Sequence, residues 1–220
     1  MQLNYPSTHI THISPPLSHI PHPPAQLYIQ GDYKPTPYGV AVVGTRHPLL
    51  SSKQQAFLFS YICAQNGITI ISGLAYGIDA AAHAGALAAQ GVTWAVCAYG
   101  LEHIYPAIHK PLATAIIEKK GALISEYSPH TPPHPKQFLE RNRIISGCAS
   151  AVVIIEAPLR SGTLNTARHA LEQGRDVYVF PPQKGEKERF QGSSDLIADG
   201  AIPIHSAEEF LSLHTFYPLT

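Results

Sequence analysis

Residues 68–91 contain one complete strand–turn–helix unit, written ITIISGLAYGIDAAAHAGALAAQG. Residues 68–71 are all β-branched and do not alternate with polar residues, which favours a strand that is covered on both faces. The alanine-rich residues 78–90 favour a helix, and Gly91 suits its C-terminal cap. A fully apolar strand followed at once by a helix is typical of a parallel sheet.

The same unit recurs along the chain. Short apolar runs predict strands at 40–43, 68–71, 92–97, 122–125, 152–155 and 177–180. Longer segments between them predict helices near 51–66, 78–90, 107–120, 137–147 and 163–174. Two short helices are expected around the apolar run 201–204. This alternation predicts an α/β fold with a doubly wound, mostly parallel sheet, an extended Rossmann-like fold.

The predicted core occupies residues 27–213, between a leader (1–26) and a tail (214–220). The leader has no Asp, Glu, Lys or Arg, six prolines and four histidines. So many fixed φ angles and so few packing side chains predict an extended, partly ordered segment without regular elements. The histidines lack a carboxylate or cysteine partner, so we predict a solvated tail rather than a metal site.

Composition limits the function classes. The 220 residues fit one α/β domain, with 45% hydrophobic and 14% charged residues. Fifteen basic residues balance fifteen acidic ones, which excludes a polybasic binder driven by its overall charge. Three separated cysteines and no signal-peptide pattern or apolar span indicate a soluble cytoplasmic protein. No catalytic residue, cofactor or metal site is predicted.

Polar residues follow several predicted strands, where ligands bind in an open parallel sheet. Gly44-Thr45-Arg46 follows the first strand, the loop 72–77 follows the second, Lys136 ends a Pro-rich loop, and 160–163 follows the fifth. Glycine, serine and threonine at helix starts leave backbone N–H groups that favour anions. We therefore predict a phosphate-bearing ligand at this edge, although such residues also form ordinary turns.

The segment 136–175 is locally basic, with six basic against three acidic residues, a net charge of +3. Phe138 lies among these cations, where its ring could stack a base. The alternative is that Phe138 belongs to the core and Arg141 pairs with a carboxylate. Asp79 and His83 are interpreted as a helix-start aspartate and a packed histidine.

Known catalytic and nucleotide-binding motifs are missing. The loop 72–77 imitates GxGxxG only loosely and follows the second strand. The sequence also lacks GK[ST], GxSxG and HExxH patterns.

Together these motifs resemble the bacterial DNA-processing protein A (DprA/Smf) family. The resemblance covers roughly residues 23–203 and rests on VGTR (43–46), SGLAYGID (72–79), IYP (104–106), SEY (125–127), RNRII (141–145), IEA (155–157) and SGTLNTA (161–167).

The resemblance implies a homodimer that binds single-stranded DNA without sequence preference and loads the RecA recombinase during natural transformation, without catalytic turnover. The implied DNA-binding residues are Arg46, Lys53, Ser72, Gly73, Lys136, Gln137, Phe138, Arg141, Asn142, Arg143, Ser161, Gly162 and Thr163. Tyr76 and residues 47–50 depart from the family pattern, which implies fewer DNA contacts.

Two alternatives use the same phosphate cradle. A related Rossmann-like family cleaves the N-glycosidic bond of nucleoside monophosphates and carries a PGGxGTxxE motif. Here Thr166 stands at the position of the glutamate, so the carboxylate of that reaction is missing. The other alternative is a nucleotide-sensing module.

Overall fold

A nine-stranded sheet, whose central strands are buried and rich in apolar residues, forms the centre of the computed structural model, which describes residues 5–182 and 185–216. The strands are β1 (Thr8–Ile10), β2 (Leu27–Gly31), β3 (Gly39–Val43), β4 (Thr69–Ser72), β5 (Thr93–Val96), β6 (Ala122–Ser125), β7 (Ala151–Ile154), β8 (Asp176–Val179) and β9 (Ile202–Pro203). Their order is β1-β2-β6-β5-β4-β3-β7-β8-β9, and all neighbours from β6 to β9 are parallel. The predicted doubly wound, mostly parallel α/β fold is confirmed.

Helices cover both faces of this sheet. They are α1 (Leu50–Gln65), α2 (Ile78–Ala88), α3 (Lys110–Glu118), α4 (Pro135–Gly147), α5 (Gly162–Glu172), α6 (Gln191–Ala198) and α7 (Ala207–Leu213). On β3, Val40 and Val42 face a core that includes Phe59 of α1, while Ala41 and Val43 face the core that contains Ile144 of α4. Two buried faces explain why the strands show no alternation of polarity.

The leader is more regular than expected. Thr8–Ile10 pairs with β2 in antiparallel register, a short 3-10 helix spans Leu17–His19, and the side chains of Leu17 and Ile20 pack at Gly147 of α4. The expectation of no regular element in 1–26 is therefore wrong at these positions. Pairing at the edge of a sheet uses backbone N–H and C=O groups, so it requires no periodic pattern of side chains. Two apolar side chains suffice to anchor the segment. The boundaries at residues 27 and 213 stay predictions.

The tail begins with an anchored residue. The His214 ring lies 3.1 Å from Ser150 Oγ through Nε2 and 3.3 Å from the Tyr178 hydroxyl through Nδ1. Burial lowers the pKa of His214, with Asp176 opposing the shift. Residues 1–4 of the leader and 217–220 of the tail lie outside the described residues.

Three further findings concern the described part of the chain. No helix there has the length and apolar character needed to cross a membrane. No group of three or more His, Cys, Asp or Glu side chains is placed to hold a metal ion. All three cysteines are free and buried, and burial raises the pKa of Cys97 to about 11.

The strand order defines where a ligand can enter. From β3 the chain winds outward through β4 and β5 to β6, and then returns to the other side of β3 at β7. The connections leaving β3 and β7 therefore diverge toward opposite edges of the sheet. This divergence opens a crevice at the carboxyl ends of β3 and β7.

Candidate functional site

A cleft of about 620 Å³ lies at this crevice. Its walls are the loop after β3, the first turns of α4 and the start of α5, and Asp79 and Arg141 line it from the protein interior. Of the predicted site residues, seven line the cleft: Arg46, Phe138, Arg141, Asn142, Ser161, Gly162 and Thr163.

The start of α5 forms one side of the cleft. Ser161 is the N-cap residue, but its side chain makes no capping bond, and its buried Oγ has no hydrogen-bond partner among the described residues. Nothing lies within 4 Å of the position that a Cβ of Gly162 would occupy. The first turn of a helix leaves backbone N–H groups without intrahelical partners and carries positive potential. This end of α5 can therefore accept an anionic oxygen.

Arg46 supplies the accessible positive charge. It is exposed, and within residues 5–182 and 185–216 no ion pair involves it. Its guanidinium carbon lies 5.2 Å from the centre of the Phe138 ring, a cation–π distance. An accessible cation and an aromatic ring therefore lie side by side.

Phe138 serves both the core and the cleft. The half-buried ring lies 5.7 Å from the ring of Tyr105 and packs against the apolar cluster beneath it, yet it lines the cleft. The ring therefore packs on the core and also lines the cleft, and its stacking on a base stays a prediction.

Arg141 is a buried residue rather than a surface cation. Only 4% of it is exposed, and its Nη1 donates to the carbonyl oxygens of Gly73, at 2.8 Å, and Val96. Burial lowers the pKa of Arg141, and the carboxylate of Asp79 opposes that shift. Burial likewise raises the pKa of Asp79, against the pull of Arg141. Arg141 is therefore bonded to backbone carbonyls inside the protein, and although the Asp79 charge acts on it, no ion pair among the described residues joins it to a carboxylate.

Ser72 and Gly73 do not line the cleft. The Ser72 hydroxyl donates to the carbonyl oxygen of Val42 at 2.7 Å, and its side chain is fully buried. A Cβ on Gly73 would lie 2.5 Å from the Arg141 guanidinium, and the Gly73 N–H donates to Asp79. Their polar groups are used inside the protein, so this geometry argues against the predicted direct contact with DNA, which no observation tests.

Gln137 and Asn142 of α4 form hydrogen bonds within the protein that the sequence does not predict. Gln137 accepts from the backbone N–H of His134 at 2.7 Å and completes a capping box. Asn142 donates to the Gly162 carbonyl at 3.3 Å and to Asn165 at 3.2 Å, which ties α4 to the start of α5. Gln137 therefore caps α4 outside the cleft lining, whereas Asn142 lines the cleft and ties two of its walls together through its amide nitrogen. Contact of either side chain with DNA stays a prediction.

The basic segment 136–175 does not form one surface. Arg143 makes a two-pronged ion pair with Glu126, at 2.9 and 2.6 Å, and only 15% of its side chain is exposed. Arg168 pairs with Glu172, and Arg175 lies before β8, at the opposite end of the sheet. The predicted local charge is therefore dispersed, because residues spaced along helices point in different directions.

Besides Arg143, two further predicted cations lie outside the lining of the cleft. Lys136 is exposed next to it and pairs with Glu140 at 3.3 Å, a surface contact that a phosphate can replace. Lys53 is exposed on α1 and does not line the cleft. Lys136 thus remains a candidate contact, and no described contact connects Lys53 to the site.

Two supporting residues escape sequence reasoning. Glu156 is fully buried, accepts from the backbone N–H of Leu49 at 2.9 Å, and pairs with Arg189 at 3.2 Å. Arg189 also donates to the carbonyl of His47, so the pair fixes the loop that carries Arg46. The sequence marks Glu156 only as an acidic residue after a buried strand and as part of the IEA stretch (155–157), without indicating its role.

The interpretation of Asp79 and His83 is confirmed. Asp79 lies in the first turn of α2, and His83 is buried with Nδ1 2.7 Å from the Thr93 hydroxyl. Burial, with smaller effects of His109 and Arg141, lowers the pKa of His83 to about 3. His83 is therefore neutral and structural.

The sequence and the fold of this chain both match those of known proteins. The family model for DNA recombination-mediator protein A matches residues 2–215. The chain belongs to this family. Protein Smf of Escherichia coli is similar to it, with 43% identity over 189 residues, covering 86% of this chain and 50% of that protein. The chain thus spans about half the length of this curated relative.

Solved structures of the recombination-mediator family share the whole fold. DNA processing protein A of Streptococcus pneumoniae is 33% identical, with a TM-score of 0.87 over 97% of this chain and 76% of that one. The Helicobacter pylori protein is 31% identical, with a TM-score of 0.86 over 96% of this chain and 97% of that one. The structural work on the Helicobacter pylori protein concerns its single-stranded DNA binding mode.

Proposed function

We propose that this chain binds single-stranded DNA, without sequence preference, in the cleft between β3 and β7. The observation that carries the proposal is the contact of Arg46 with Phe138 opposite the start of α5. An accessible cation and a helix N-terminus suit phosphates, and an aromatic ring suits a base of any identity. The single-stranded DNA binding of the Helicobacter pylori relative supports it.

Membership of the DNA recombination-mediator protein A family supports a biological role in recombination. We propose that the chain acts as a cytoplasmic homodimer and hands single-stranded DNA to the RecA recombinase during natural transformation. Asp79 is the carboxylate among the described residues that line the cleft, and it is buried. We therefore propose binding without turnover.

Phe138→Ala is expected to weaken single-stranded DNA binding by about 1–3 kcal/mol, because a stacking surface for a base is lost. The salt dependence should stay unchanged, since stacking releases no counterions. Fluorescence anisotropy with a labelled oligonucleotide at several salt concentrations measures both quantities. Phe138→Tyr is the control that keeps a ring. An Ala variant that is folded and binds as wild type would refute the base contact.

The hydrolase alternative predicts a different result. Thr166 of α5 lines the cleft and is 2% exposed, and it cannot supply the negative charge that stabilises an oxocarbenium-like centre. We expect no release of adenine from AMP above the level of a Thr166→Ala control, measured by chromatography. Release above that control would favour the N-glycosidase.

The nucleotide-sensing alternative is separated by competition. AMP and related mononucleotides should displace a labelled oligonucleotide only weakly, because they occupy a small part of an extended contact. Displacement by a mononucleotide at concentrations near those of the oligonucleotide would favour a sensor of small ligands.

A further inference from the structure

A group of aromatic side chains lies beside the cleft and is not used by the phosphate contacts. The Tyr105 ring lies 5.7 Å from Phe138, and the Tyr76 ring lies 5.2 Å from His109. Tyr76 and Tyr105 keep 45% and 44% of their surface exposed. Large rings that remain half exposed beside a cleft offer faces to a ligand.

The sheet order separates the aromatic groups from the phosphate groups. Arg46 follows β3 and Ser161 follows β7, whereas Tyr76 follows β4 and Tyr105 follows β5. Since β5, β4, β3 and β7 are consecutive neighbours, their carboxyl ends form a row in that order. A single DNA strand whose phosphates lie over the ends of β3 and β7 would turn its bases toward the ends of β4 and β5.

The loop that carries Tyr76 is held in one conformation from below. Leu74 is buried with a left-handed φ of 58°, and its carbonyl accepts from Nδ1 of His109 at 2.8 Å. Asp79 accepts from the N–H groups of Gly73, at 3.1 Å, and Ala75, at 3.3 Å.

Gly77 closes this loop at a φ of 77°, where a Cβ would lie 2.4 Å from the carbonyl oxygen of Thr45. A loop fixed at this many points presents Tyr76 without a large entropic cost on binding. The left-handed backbone conformation of Leu74 costs conformational energy. The fold retains it while Tyr76, two residues further on, stays half exposed.

We propose that Tyr76 and His109 form a second stacking site for a nucleobase, next to the one at Phe138. The proposal rests on the function proposed above and deepens it, because the protein would then contact at least two bases of one strand. The His109 Nδ1–H is occupied by the Leu74 carbonyl, which fixes the ring plane against which Tyr76 packs. The Tyr76 ring is the part of this pair left most open to a base.

The test compares single-site variants over a series of deoxythymidine oligonucleotides of increasing length. Tyr76→Ala should bind the longer oligonucleotides about 5- to 100-fold more weakly, the range expected for one lost base stack. It should bind the shortest ones as wild type does, because these do not reach from Phe138 to Tyr76. Tyr76→Phe should restore binding, since stacking uses the ring and not the hydroxyl.

Ile108→Ala is the matched control. Ile108 is 72% exposed in the short 3-10 helix that contains His109, so it tests loss of apolar surface nearby without loss of a ring. Thermal unfolding checks that each variant is folded.

The outcomes separate the two proposals. If Phe138→Ala loses binding while Tyr76→Ala behaves as wild type at every length, the second stacking site is wrong and the proposed function stands. The second site is also wrong if Tyr76→Phe fails as Tyr76→Ala does, because the hydroxyl would then be the group in use. If wild type binds no oligonucleotide, the proposed function itself is wrong.

A direct readout comes from Tyr76→Trp. The natural Trp94 is buried, with 2% exposure, so a new indole at position 76 dominates the change in fluorescence on binding. Quenching of Tyr76→Trp fluorescence by the longer oligonucleotides, without quenching of Ile108→Trp fluorescence, supports the stack. Equal quenching in both variants would overturn it.

Discussion

Arg46→Glu is expected to weaken single-stranded DNA binding about 10- to 100-fold at low salt. A hydrogen bond to a charged group contributes about 1.5–3 kcal/mol, and each 1.4 kcal/mol is about a tenfold change in affinity. Arg46 is the cleft-lining cation that is both exposed and outside every ion pair of the described ranges, so no neighbouring charge compensates for its loss. The glutamate would also repel the phosphates and remove the contact with Phe138.

The salt dependence identifies the cause. Each lost phosphate contact on a single strand should reduce the slope of log affinity against log salt by about 0.7. Lys136→Glu should have a smaller effect in the same direction, because Lys136 already pairs with Glu140 and lies outside the cleft lining. Lys119→Glu is the matched control, since Lys119 is exposed just after α3, at the end of the sheet where β6 begins.

All oligonucleotide sequences should respond alike, because phosphates carry no base identity. Anisotropy titrations at several salt concentrations provide the measurement. A folded Arg46→Glu protein with wild-type affinity and slope would refute Arg46 as a phosphate contact.

Arg141→Met is expected to lower the free energy of unfolding by about 2–5 kcal/mol, because a buried acceptor left without its donor costs roughly 1–3 kcal/mol. Asp79 would remain buried without its cation, and the carbonyl oxygens of Gly73 and Val96 would lose their donor. Chemical denaturation followed by circular dichroism measures the change.

The double variant Asp79→Asn with Arg141→Met tests the reason for this loss. Removing both charges should recover part of the lost stability relative to Arg141→Met alone. If Arg141→Met is as stable as wild type and loses only DNA binding, Arg141 is a ligand contact and the structural assignment is wrong.

The strands and the edge that carries the site are predictable from sequence for one physical reason. A strand buried on both faces needs consecutive apolar residues, so the run 122–125 predicts β6 at the correct residues. The polar residue that follows such a strand must lie at the carboxyl edge, as Arg46 does after β3.

The sequence does not predict which hydrogen-bond or ion-pair partner each polar group has, or on which side of the backbone that partner lies. Ser72 and Gly73 follow β4 as Arg46 follows β3, but their polar groups bond inward to Val42 and Asp79. Arg143 and Glu126 are 17 residues apart, and nothing in local spacing shows that they form an ion pair. Such pairings depend on tertiary contacts between elements that are distant in the chain.

The central claim is that single-stranded DNA lies in the cleft between β3 and β7. Ultraviolet cross-linking of an oligonucleotide that contains iododeoxyuridine, followed by peptide mapping, tests it most directly. Cross-links are expected at Phe138 or Tyr105, aromatic residues that line the cleft. Cross-links confined to Tyr38 and Phe57, which are exposed outside that lining, would contradict it.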